Sequence, residues 1–114
     1  MTTSDNYPYL KVRCRVRHWG AEVWALVDTG FDGHLIIPRQ IARQLGAPDS
    51  VAAWAMADGR RVVTSGYRGI VELVGVGAFP STVVALGDEY IIGRAVIDRL
   101  RVTFDHGQRL IVEP

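Results

Sequence analysis

Turn-forming residues punctuate the chain at intervals of roughly eight to twelve residues, a spacing that leaves room for many short strands and little room for long helices. Tyr9 to Arg17 carries the strand pattern most clearly. Leu10, Val12, Cys14 and Val16 fall on one face and Lys11, Arg13, Arg15 and Arg17 on the other, the period of two expected of a half-buried strand. His18-Trp19-Gly20 turns the chain, and Val23 to Val27 is a continuous apolar run suited to a buried strand. Leu35-Ile36-Ile37 is another, stopped by Pro38. Val51 to Ala57 and Arg60 to Ser65 flank Asp58-Gly59, a strong signal for a tight hairpin. Tyr67 to Val74 and Phe79 to Leu86 read as two further strands, and a last hairpin turns at Asp105-His106-Gly107 to return through Leu110-Ile111-Val112. Helical spacing is confined to Arg39 to Leu45, closed by Gly46 and Pro48, and to a short stretch from Ala95 to Leu100. The pattern predicts a mainly β domain with one or two short helices.

Size and charge narrow the function classes. A chain of 114 residues suits a single domain and leaves little length for a cleft between two. Thirteen basic against twelve acidic residues give a net charge of +1, so no bulk field points to nucleic acid or to a membrane surface. The stripe Lys11, Arg13, Arg15, Arg17 is the best case for a nucleic-acid binder. Four charges on a half-buried strand are better explained as its solvated, edge-protecting face, so no nucleic-acid partner is expected. The lone cysteine, Cys14, excludes an internal disulfide framework and reads as a buried small hydrophobe. His18, His34 and His106 lack metal-ligand spacing, and neither a serine nucleophile elbow nor a phosphate-binding glycine loop is present, so no metal or cofactor is expected. The polar start MTTSDNYPY and the broken apolar runs predict no signal peptide, no membrane span and a cytoplasmic protein.

Chemistry concentrates in Ala25-Leu26-Val27-Asp28-Thr29-Gly30. A carboxylate set directly after a buried strand is poorly solvated, so its proton affinity is open to tuning. Thr29 adds a local hydroxyl, and Gly30 permits close backbone approach. The tripeptide alone also makes ordinary turns.

In its order of elements the sequence resembles the retropepsin-like aspartic proteases. These elements are the apolar strand into Asp28-Thr29-Gly30, the strand Leu35-Ile36-Ile37, the hairpin at Asp58-Gly59, and Ile91-Ile92-Gly93-Arg94 before a short helix. The resemblance covers roughly residues 9 to 104, and the final hairpin through Arg109 to Val112 is more like the cellular and bacterial members. It implies an all-β, closed-barrel-like acid-protease domain over residues 9–114, behind an N-terminal tail of residues 1–8.

The same resemblance implies a homodimeric aspartic endopeptidase acting on peptide or protein substrates without a cofactor. Asp28 of each chain would be catalytic, with Thr29 and Gly30 shaping its loop. Two carboxylates that close share one proton: one activates water while the other polarises the scissile carbonyl. The hairpin becomes a flap, with Trp54, Met56, Asp58, Gly59 and Val62 as candidate substrate contacts. By family position Arg94 is expected to brace Asp32 through a bidentate pair. Strands around Leu10 to Val16 and Leu110 to Val112 are expected to pair across the two-fold axis.

One position departs from the pattern. Residue 31 is Phe, where most members carry Ala, Ser or Thr, although a Phe variant occurs among bacterial single-domain relatives. A hydroxyl at that position hydrogen-bonds the catalytic carboxylate in pepsin-like sites, and Phe31 offers none. The alternative reading is therefore a peptide- or partner-binding module of the same fold with weak or absent hydrolysis.

Overall fold

The computed structural model describes residues 1–55 and 58–114. Strand β2 (Tyr9–Val16) buries Leu10, Val12, Cys14 and Val16 and exposes the residues between them, as the alternation predicts. It pairs antiparallel with β3 (Trp19–Val27) along its whole length. The strands β4 (Leu35–Ile37), β6 (Arg61–Leu73), β7 (Gly77–Ala85) and β8 (Ile91–Ile92) complete the main sheet, in the order β2-β3-β8-β4-β7-β6. Pairing of β6 back onto β2, through Arg13–Arg15 and Ile70–Glu72, closes these six strands into a barrel. The molecule is thus mostly β, with a closed barrel at its centre.

Two glycines within β6 admit close neighbours, Gly69 at the barrel closure with β2 and Gly66 at the pairing with the next strand, Ser50–Ala55. A Cβ at Gly69 would lie 2.6 Å from the Arg15 carbonyl oxygen, and one at Gly66 would lie 2.6 Å from Ser50 Oγ. Glycine inside a strand often marks such close approach. The sequence suggested two strands, Arg60 to Ser65 and Tyr67 to Val74. Instead one strand of thirteen residues runs through Gly66 and serves both a hairpin and the barrel.

Strand β5 (Ser50–Ala55) is added at the outer side of β6 and has no second neighbour among the described residues. The helices are single turns, α1 (Arg39–Ala42) and α2 (Arg94–Ile97), shorter than their sequence spacing suggested. A separate three-stranded sheet joins β1 (Thr2–Ser4), β10 (Arg109–Glu113) and β9 (Arg101–Asp105), in that order. The first eight residues, expected as a tail, therefore contribute a strand, with Ser4 buried and its hydroxyl donating to the Tyr9 carbonyl at 2.5 Å.

The strands expected to pair across a two-fold axis already have neighbours. Over Arg13–Arg15 β2 lies between β3 and β6, and over Leu110–Val112 β10 lies between β1 and β9, so these stretches are engaged on both sides within the chain. Among the described residues the edge strands are β1, β9 and β5.

Candidate active site

Strands β3 and β4 are consecutive in sequence, yet β8 is inserted between them, parallel to β3 and antiparallel to β4. The connection 28–34 must therefore loop over the end of β8. The chain that follows β8 fastens it there by backbone bonds. Asp28 N–H donates to the Ile92 carbonyl at 3.0 Å, Gly93 N–H to His34 at 3.0 Å, Arg94 N–H to Phe31 at 2.8 Å and Ala95 N–H to Gly33 at 3.1 Å. Gly93 is the tight point of this clamp. A Cβ there would meet the Gly33 carbonyl oxygen at 2.4 Å and that of Phe31 at 2.6 Å.

The clamp sets Asp28 at the barrel's end, half-buried, with Thr29 and Gly30 exposed beyond it. One carboxylate oxygen of Asp28 accepts the Gly30 N–H at 2.8 Å, a local turn that orients the group. Asp28 opens into a cavity of about 310 Å³. Its polar floor is Asp28 and Asp32, its apolar wall is Ile36, Val84, Leu86 and Ile91 from the barrel, and Trp54 and Ala55 of β5 overhang it. Carboxylates and an apolar pocket capped by a hairpin together suit a ligand with an extended backbone and an apolar side chain.

The hairpin residues divide. Trp54 stands directly across from Val62 in the β5–β6 ladder. Its indole N–H donates at 2.8 Å to the hydroxyl of Thr64, a buried residue. Val62, Asp58 and Gly59 do not line the cavity. Asp58 accepts the Arg60 amide at 3.0 Å, and that amide, together with the Arg60 guanidinium, holds the Asp58 carboxyl below its ordinary range. Met56 lies outside the described residues.

The side-chain brace is not formed. Arg94 turns to Asp98, with Nε to Oδ2 at 3.3 Å, and no ion pair among the described residues joins it to Asp32. Residues four apart on a helical turn are immediate neighbours, so Asp98 is the nearer partner. The loop is held instead by the backbone clamp, which does not depend on side-chain identity at 94.

Sequence reasoning placed Asp28 and Trp54 together and expected Phe31 to be bulky beside the substrate groove, and Phe31 lines the cavity. Its ring lies 5.3 Å from that of Trp54, tilted by 58°. Thr64 was missed; it is a buried polar residue in a strand that carries several other polar residues, so it gave no distinct signal.

Elsewhere the arginine stripe is largely neutralised. Lys11 and Arg13 flank Glu22 at 3.6 and 3.1 Å, Arg13 also approaches Glu72 at 3.8 Å, and Arg17 meets Asp49 at 3.1 Å. Hydrogen bonding from Arg13 lowers the Glu22 pKa. His34 Nδ1 accepts the Thr82 N–H at 3.3 Å, and burial, with Arg99 nearby, pulls its pKa down. Burial pushes the Cys14 thiol up to about 12. Among the described residues no helix is long and apolar enough to cross a membrane, and no cluster of three His, Cys, Asp or Glu side chains could hold a metal ion. No family model, curated protein or solved structure matches the chain.

Proposed function

We propose that the chain is a homodimeric aspartic endopeptidase of the retropepsin-like type, with Asp28 of each protomer forming the catalytic pair. The observation that carries this reading is the placement of Asp28, clamped at the barrel's end and opening into an apolar cavity that a hairpin overhangs. A single carboxylate cannot both take a proton from water and donate one to the scissile carbonyl, so the reaction needs a second group. A two-fold axis beside the exposed Thr29-Gly30 corner supplies that group from an identical chain. The shared proton would leave one carboxylate ionised to activate water and the other protonated to polarise the carbonyl. With β2 and β10 already paired, strand pairing across the axis falls to an edge, β1 or β9.

Asp28→Asn should keep the fold and lower peptide cleavage by about 10²–10⁴-fold, the usual weight of acid–base catalysis. Specific activity of the native protein should fall on dilution through the dimer dissociation constant, followed by sedimentation alongside the assay. Undiminished cleavage by a clean Asp28→Asn preparation, or full activity from a monomer, refutes the reading. Phe31 favours a second reading, a peptide-binding module, because no hydroxyl at that position reaches Asp28. Peptide binding without turnover is its signature.

A further inference from the structure

One wall of the cavity is a loop side chain, Phe31, rather than a strand, and its ring is closely packed. On its far side a Cβ at Gly33 would sit 2.4 Å from Phe31 Cζ and 3.1 Å from Trp54 Cη2, and one at Gly93 would sit 2.4 Å from Phe31 Cδ2. The Phe31 ring therefore rests directly on two glycine backbones. Its other side lines the cavity and meets Trp54, whose indole N–H is fixed on Thr64. Gly33 and Gly93 are not part of the cavity lining, so the ring stands between them and the open space. At about 310 Å³ the cavity is at the lower limit of ligand pockets, enough for one side chain and not a run of them.

We propose that Phe31, packed between the Gly33 and Gly93 backbones and Trp54, sets the size of the apolar side chain that a peptide substrate seats beside Asp28. This inference rests on the reading of the site as peptide-cleaving. Ile36, Val84 and Ile91 also line the cavity, and their backbones are fixed by pairing within the barrel strands. Phe31 is the large aromatic side chain that the loop after Asp28 contributes to this lining, so size selection falls to it. Two substitutions should move it in opposite directions. Phe31→Ala removes the wall and enlarges the pocket. Gly33→Ala places a methyl group against Phe31 Cζ and Trp54 Cη2, so both rings must give way, and movement into the open cavity is expected to shrink it.

The test uses the full chain carrying Asp28→Asn, so that binding is read without turnover. Calorimetry would compare peptides that are identical except for a central Ala, Leu or Trp. The parent should prefer Leu over Trp by about tenfold, the scale on which apolar pockets discriminate size. Adding Phe31→Ala should reverse that order, and adding Gly33→Ala should shift preference from Leu towards Ala. Phe31→Leu, a milder truncation, should give an intermediate shift and covers the case in which Phe31→Ala does not fold. An unchanged ranking in the folded variants overturns the proposal, as does failure of the parent to bind any of the peptides. Cleavage by the unmodified chain is measured separately. If it is absent while the ranking shifts as described, the endopeptidase reading fails and the size-setting role of Phe31 stands.

Discussion

Two of the hairpins in this protein reverse at similar sequences and reach opposite ends. Each turns on an Asp-bearing corner, Asp58-Gly59 in one and Asp105-His106-Gly107 in the other. The β9–β10 hairpin is sewn into the molecule: β10 has a strand on either side, and its Leu110 and Val112 are fully buried. In the β5–β6 hairpin no residue of β5 is fully buried, and Val51 and Val63 on its outer face are 67% and 69% exposed. Turn chemistry therefore fixes where the chain reverses but not how firmly the reversal is held. Burial of the arms decides that, and the weakly held hairpin is the one that overhangs the cavity.

The largest expected contrast is in stability. Leu110→Ala removes a fully buried side chain and should cost about 2–5 kcal/mol. Val63→Ala on the outer face of the other hairpin should stay within about 0.5 kcal/mol. Denaturant midpoints of the two variants decide this, and equal losses would mean that the hairpins are held alike. A smaller effect is expected from Thr64→Val, which leaves the Trp54 indole N–H without its acceptor. Trp54 is only half-buried, so water can replace the lost bond and the cost should be near the low end, about 1 kcal/mol. Ligand affinity should fall more than stability does, because Trp54 overhangs the cavity. A stability loss with unchanged peptide affinity would make Trp54 mere packing.

This contrast also explains how much was readable from the sequence. Where one face is buried, the period of two is unambiguous, and Tyr9–Val16 was legible for that reason. The two expected strands met at Gly66, because a glycine in such a run carries the same local signal whether it turns the chain or admits a neighbouring strand. Only the tertiary approach of Ser50 distinguishes the two. Thr2–Ser4 gave no strand signal, since its pairing with β10 is made by backbone atoms. At the site, Asp28 was legible through its motif, while the clamp from residues 92–95 consists of backbone bonds whose trace in the sequence is Gly93, the one position among them where a side chain would not fit. The predicted Asp32–Arg94 pair failed for a local reason that the sequence did contain, the acid four residues after Arg94.

The smallest expected effect tests the same contrast through pH. Asp105 is held below its ordinary carboxylate pKa first by its hydrogen bond to His106 and then by Arg109, which lies in β10. Asp58 is held down by the amide and guanidinium of Arg60, a residue of its own turn. A carboxyl whose pKa is depressed in the folded state adds stability above the unfolded value, and that stability is lost as pH falls through the folded value. The sign is the same for both groups, but the structure that each one holds differs. Asp105 ties its turn to a strand that unfolds with the core, so Asp105→Asn should lower stability at neutral pH slightly and flatten its decline towards acid. Asp58→Asn should leave the global acid midpoint in place and only speed amide exchange in β5, whose opening is local. Acid titrations by circular dichroism, paired with hydrogen exchange at neutral pH, separate the two. If Asp58→Asn shifts the global midpoint as much as Asp105→Asn does, the β5–β6 hairpin unfolds with the core and is no independently opening flap.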